Sequence, residues 1–237
     1  MSAAAALARD IRAGLAALAD PERAGPMQAY MKSAMPFLGV PAPQRRALVK
    51  ACCQGRECAD ASALSDAMLA LWRPARFREE RHAALDLLHL PRHRKRLDLS
   101  HLPVLREMLE TGPWWDYNDE ISGLALQLLL QRHPDALKPL LRLWARGDKL
   151  WLRRAAMLCQ RRMRAGFDAV LLYDCILPSL RGSPLADEFF IRKGMGWALR
   201  ERAYQAPDEV RAFCREYADR LSPLTKREAL RVIGAGA

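Results

Sequence analysis

The 237-residue chain contains no run of about 18 apolar residues, so no membrane-spanning helix is expected. None of its six cysteines (Cys52, Cys53, Cys58, Cys159, Cys175 and Cys214) forms a CxxC pair, and Cys52, Cys53 and Cys58 lack a second pair at zinc-ribbon spacing. Most sit among apolar neighbours, which fits reduced, buried thiols in the cytoplasm. There is no GxxxxGK[ST] loop, no GxGxxG turn and no Gly-x-Ser-x-Gly elbow, which removes the familiar nucleotide-binding and serine-hydrolase signatures. His89 and His93 are four apart, but Pro91 between them interrupts the helix that a ligand pair would need. No metal and no cofactor is expected. The first residues lack the apolar core of a secretory signal; Ile11, Leu15 and Leu18 instead mark one face of an amphipathic helix.

What is present is helical period and positive charge. Leu64, Met68 and Leu71 recur at helical spacing, as do Leu85 with Leu88 and Ile121, Leu124 and Leu128. Strand-like alternation is nearly absent. Proline and glycine fall mostly between these segments, as at Pro91, Gly112-Pro113, Pro134, Gly147, Pro207 and Pro223. Against 27 acidic residues stand 38 lysines and arginines, a formal charge of +11. That balance points to a polyanionic partner, nucleic acid or an anionic membrane surface, and is silent about fold.

A weak internal repeat runs through the chain. Charged residues followed by small and apolar ones recur at Arg81, Arg154, Lys193 and Arg227, with Asp119 between the first two. The intervals are 38, 35, 39 and 34 residues. This period suits stacked helix pairs of HEAT or armadillo type, and it predicts an all-α helical-repeat solenoid with a concave basic groove, residues 1–237 forming a single domain.

The densest chemistry lies in Trp114-Trp115-Asp116-Tyr117-Asn118-Asp119, after Thr111-Gly112-Pro113. Thr111 or Gly112 is placed to cap a helix, and Pro113 suits its first turn. Trp115 and Asp119 are one turn apart on one face, an aromatic surface beside a carboxylate that suits a cation. Asp116 reads as a helix-start charge. Trp72, Trp144 and Trp114 read as core and Trp151 as packing. Arg153 reads as a surface ion pair. Lys32, Arg45, Arg46, Lys193, Lys226 and Arg227 are candidates for phosphate contacts, each with a solvated charge as its plainer reading. Arg92-His93-Arg94-Lys95-Arg96 reads as a linker after Pro91.

Taken in order, several motifs resemble the DNA alkylation repair family of AlkD-like, HEAT-like-repeat DNA glycosylases. They are Pro26-Met27-Gln28-Ala29-Tyr30-Met31-Lys32, Phe37-Leu38-Gly39-Val40, Pro43-Gln44-Arg45-Arg46, Trp114-Trp115-Asp116 with Asp119, Trp151-Leu152 with Arg154, Phe189-Phe190-Ile191 with Lys193 and Gly196-Trp197, and Leu224 to Ala229. The resemblance covers nearly the whole chain. It implies a monomeric enzyme that removes N3- and N7-alkylated purines from double-stranded DNA by hydrolysing the N-glycosidic bond. It also implies Asp119 as the catalytic carboxylate, Trp115 and Trp197 as its aromatic partners, Arg154 as a cleft arginine contacting DNA, and Tyr30 near the DNA. Asn118 departs from the family's usual aliphatic residue before the aspartate. Two other readings stay open: a non-enzymatic repeat protein binding damaged or distorted DNA, and a protein-binding scaffold.

Overall fold

The computed structural model describes residues 2–56 and 58–233, and among these there is no strand. The chain divides into two compact units, one ending at Met108 and the other beginning at Leu109.

The first unit contains α1 (Ala3–Ala17), α2 (Pro21–Met31), α3 (Ala42–Cys52), α4 (Ala61–Trp72), α5 (Arg78–Asp86), α6 (Pro91–Arg96) and most of α7 (Leu102–Thr111). The Ser2 hydroxyl caps α1 by accepting the Ala5 N–H at 3.2 Å. Leu7, Ile11 and Leu15 then bury one stripe of α1 against α3, α4 and α5. Each such side chain contributes roughly 1.5–3 kcal/mol on burial. Leu18 was expected on that face, but it follows the last turn of α1 and is exposed. Trp72 is in the core, as expected. The Glu79 carboxylate explains the Phe37-Leu38-Gly39-Val40 motif: it accepts the N–H groups of Leu38 at 3.0 Å, Gly39 at 2.9 Å and Val40 at 3.1 Å. Gly39 sits at φ +85°, and a Cβ there would run into the Asp20 carbonyl.

One further reading of this half changes. Arg92 to Arg96 is not a linker: Pro91 occupies the first turn of α6, where its missing N–H costs nothing, and the basic run is helical. His93 is fully buried between the Leu87 carbonyl and the Cys58 N–H. The break between His89 and His93 falls at Leu90, as the proline required.

The second unit contains α8 (Trp115–Glu120), a π-helical stretch over Ile121–Leu126, α9 (Gln127–Arg132), α10 (Pro134–Arg146), α11 (Leu150–Leu158), α12 (Ala169–Ile176), α13 (Phe189–Ala203), α14 (Pro207–Glu216) and α15 (Pro223–Leu230). Prolines 134, 207 and 223 open their helices rather than lying between them. α8 packs on α11, α11 on α13 and α13 on α15, while α10 and α12 pack against each other behind α11. The repeat appears as bonds between residues one period apart. Arg154 meets Asp119 across 35 residues, Lys193 meets Glu228 across 35, Arg142 meets Asp174 across 32 and Tyr173 meets Glu209 across 36. The fold is an all-α helical repeat. Trp144 is in the core, and Cys53, Cys58, Cys159, Cys175 and Cys214 are buried free thiols, with Cys52 half-buried. Burial pushes the Cys175 thiol up to about 12, so it stays protonated and unreactive at neutral pH. No helix among the described residues is long and apolar enough to cross a membrane.

Candidate functional site

α8 begins later than its sequence signals. Thr111 ends α7, and Trp114, in extended conformation, occupies the cap position without a side-chain bond. Neither Thr111 nor Gly112 caps the helix. The Asp116 carboxylate instead accepts the Tyr117 N–H at 3.0 Å, in keeping with a helix-start charge.

Trp115 and Asp119 lie on this one helix. Trp115 is half-buried, and its ring engages no aromatic or cationic partner among the described residues. Asp119 is 7% exposed. Arg154 on α11 donates to it three times, Nε to Oδ1 at 3.0 Å and Nη2 to Oδ1 at 2.8 Å and to Oδ2 at 3.0 Å. A carboxylate offers about four acceptor directions, so Oδ2 keeps one open. Burial pushes the Asp119 carboxyl above the usual aspartate value; the charges of Arg154 and Arg161 pull against it without cancelling it.

Arg161, in the turn after α11, ties this carboxylate's backbone to the second tryptophan. Its Nη2 donates to the Asp119 carbonyl at 2.9 Å. Its guanidinium lies 4.4 Å from the centre of the Trp197 ring. The π-helical stretch begins two residues after Asp119, and π-turns set into α-helices recur at functional sites. Gly123 within it makes room, since a Cβ there would sit 2.6 Å from the Arg161 Nη2. Trp197 on α13 is half-buried, and its Nε1 donates to Glu201 at 3.0 Å. Gly196, its neighbour, lets α13 and α15 approach: a Cβ there would lie 2.8 Å from the Thr225 carbonyl.

Behind these groups lies an aromatic cluster. Phe190 packs at a tilt on Trp151 at 5.1 Å, and edge-on with Trp114 at 5.5 Å and with Phe189 at 5.3 Å. Trp151 is packing, as expected. Trp114 is half-buried rather than core, with its indole N–H buried and unpartnered. The Phe190 carbonyl accepts the third arm of Arg154 at 2.7 Å. Asn118, the departure from the family pattern, is buried and donates to the Trp151 carbonyl at 2.7 Å, linking α8 to the start of α11.

Several expected DNA contacts are placed otherwise. Arg154 is 2% exposed and committed to Asp119 and Phe190, so it is a buried partner of the carboxylate rather than an open phosphate contact. Arg45 is 5% exposed and binds Asp86 at 2.6 Å; it too is interior. Arg46 shares Asp86 at 3.1 Å but keeps half its side chain in solvent. Lys193 pairs with Glu228 at 2.6 Å and is partly exposed, while the Lys226 Nζ reaches the Ala218 carbonyl at 3.2 Å. Arg227, Lys32 and Tyr30 are exposed. Arg153 is no surface ion pair: it is buried and donates to the carbonyls of Gly147, Pro178 and Pro184 and to the Ser179 hydroxyl. Arg161 and Glu201 escaped the sequence reading. Glu201 stands four residues after Trp197, and Gly123 inside an apolar helical run marks a close approach; those were the available signals.

The family model for DNA alkylation repair enzymes matches residues 11–233. The chain belongs to this family. A solved protein from Enterococcus faecalis, described as a predicted DNA alkylation repair enzyme, is similar to it at 27% identity and a TM-score of 0.81, over 92% of this chain and 98% of that one. No curated protein matches the chain. Membership of the DNA alkylation repair family gives the chain a role in repairing alkylated DNA, with DNA as its partner. Its match runs through both units and includes α8, α11 and α13, the three helices that carry Asp119, Arg154 and Trp197.

Proposed function

We propose that the chain is a DNA glycosylase, a single HEAT-like-repeat domain that hydrolyses the N-glycosidic bond of N3- and N7-alkylated purines in duplex DNA. The observation that carries this reading is Asp119, its carboxylate nearly buried and oriented by Arg154, and its backbone carbonyl joined through Arg161 to the half-buried Trp197.

An alkylated purine already carries positive charge and leaves without a strong general acid. As its bond to the sugar C1′ breaks, the base takes the bonding electrons and departs neutral, and positive charge grows on the deoxyribose. A carboxylate beside that carbon stabilises the developing charge, as in glycosidases. The open acceptor direction on Oδ2 suits a water whose oxygen bonds to C1′ and whose proton is released, leaving an abasic site and a free base. Two unit charges at about 4 Å interact by roughly 4 kcal/mol at an effective dielectric near 20. Realised only in the transition state, that is about a thousandfold in rate. Arg154 lessens this attraction because it neutralises the carboxylate, but it also holds the oxygens in place and keeps them ionised. Trp115 and Trp197 add cation–π attraction of roughly 0.5–2 kcal/mol. Arg161 already covers part of Trp197, which makes the unengaged Trp115 ring the freer surface for the lesion.

The same ion pair also favours a second reading, a protein that binds damaged DNA without cleaving it, because a neutralised carboxylate is a weaker catalyst. Release of 7-methylguanine from methylated duplex DNA separates the two. Wild-type protein is expected to release base, and Asp119→Asn to be slower by up to about a thousandfold, less to the extent that Arg154 neutralises the carboxylate. Binding without release by the wild type rejects the glycosylase, and full activity in Asp119→Asn rejects this carboxylate.

A further inference from the structure

Away from Asp119, Arg181, Arg192 and Arg220 line one small cavity of about 50 Å³ in the second unit. Elsewhere in that unit Arg142, Arg154, Arg200 and Arg202 are each paired with a carboxylate. These three guanidiniums have no carboxylate partner among the described residues, and Asp187 is the single acid in the cavity lining. The Arg192 Nε is fully buried with no acceptor. A buried charged donor without an acceptor is unfavourable unless an anion answers it.

The cavity is built rather than incidental. The Arg181 N–H donates to the Arg220 carbonyl at 3.0 Å, fastening the two segments that carry these side chains. Arg153 reaches from the interior to the Pro178 and Pro184 carbonyls, each at 2.9 Å, and so pins the loop on both sides of Arg181. The start of α15 adjoins the cavity, but Ser222 already accepts the N–H groups of Thr225 and Lys226, so the guanidiniums supply the attraction. The volume exceeds a single water's share of about 30 Å³. It is far below the roughly 300–1,000 Å³ of a drug-sized pocket. Guanidinium forks match the oxygens of a phosphate group in both charge and geometry.

We infer that Arg181, Arg192 and Arg220 form a phosphate-binding site, taking either a backbone phosphate of DNA or a free phosphate. It stands on its own residues, independent of the excision chemistry at Asp119.

The test uses the full chain, with inorganic phosphate as probe. Thermal melts in phosphate are compared with chloride at matched ionic strength, for the wild type, Arg192→Gln, and the double variant Arg181→Gln/Arg220→Gln. Arg181 and Arg220 are exposed, so the double variant keeps the test open should Arg192→Gln fail to fold. Phosphate is expected to raise the wild-type Tm with rising concentration, and neither variant should respond. A second arm measures affinity for undamaged duplex against salt. If DNA supplies the phosphate, the double variant loses about one unit of the log–log slope, and inorganic phosphate competes with duplex. If a free phosphate is the ligand, that slope is unchanged and only the thermal response is lost. A wild-type melt that does not distinguish phosphate from chloride, with an unchanged duplex slope, overturns the site; so does a phosphate response that survives in the double variant. Base release is followed in parallel: loss of the phosphate response with excision intact, or the reverse, assigns a failure to one site or the other.

Discussion

At Asp119 burial and ion pairing act in opposite directions, and burial is the larger. The carboxyl is therefore harder to ionise folded than unfolded. Its charged form disfavours the fold, so this group's contribution to stability falls as pH rises through and above the ordinary aspartate value. On the proposed glycosylase mechanism excision needs the ionised form, so the acid limb of its pH–rate profile should lie above 3.8, the unshifted aspartate value. Arg154→Met removes the largest opposing charge and should move that limb further up. At neutral pH it should also cost about 3–5 kcal/mol, because the carboxylate is left buried and unpaired. The deficit should shrink in acid, where the group is protonated. Denaturant titrations at both pH values and a pH–rate series check this; an unmoved acid limb would refute the pairing argument.

On the scale of helices, two glycines predict opposite outcomes for the same substitution. In α13, the added methyl of Gly196→Ala meets the Thr225 carbonyl and the Glu228 Cβ, neither of which can swing away. Overpacking there should destabilise the α13–α15 contact by about 1–3 kcal/mol. In the π-helical stretch, the methyl of Gly123→Ala meets only the end of the flexible Arg161 side chain. The helix gains up to roughly 1 kcal/mol of propensity, offsetting the displaced guanidinium, so stability should change little. The activity should not be spared, because Arg161 then loses both the Asp119 carbonyl and the Trp197 face. Urea midpoints beside excision rates test the contrast, and equal losses of stability at both positions would refute it.

For the whole molecule the observable is salt dependence. Of the eight residues expected to touch DNA, Tyr30 is uncharged and Arg45 and Arg154 are interior, which leaves Lys32, Arg46, Lys193, Lys226 and Arg227. If all five meet phosphates, the log–log salt slope for duplex affinity is about −4.5, at −0.9 per contact. Lys32→Gln should reduce it by about one. Arg45→Gln should leave it unchanged and lower stability instead, since Asp86 loses its buried partner. Anisotropy titrations across a salt series with Arg45→Gln as control decide this; a slope near zero would remove the phosphate contacts altogether.

Apolar spacing determined that the chain is helical, and the 34–39-residue interval anticipated the succession of α8, α11, α13 and α15; the prolines, read as lying between helices, in fact open several of them. Trp115 and Asp119 shared a helix as their spacing required. These are local or periodic properties, and local sterics and period suffice to read them. Partners were decided by tertiary structure alone. Arg154 reaches Asp119 from 35 residues away, Arg161 bridges to Trp197, and Arg45 and Arg153 are interior because Asp86 and a ring of carbonyls await them. A charge enters a protein interior only where distant segments bring it a counter-charge or acceptors, and no pattern along the chain records that meeting.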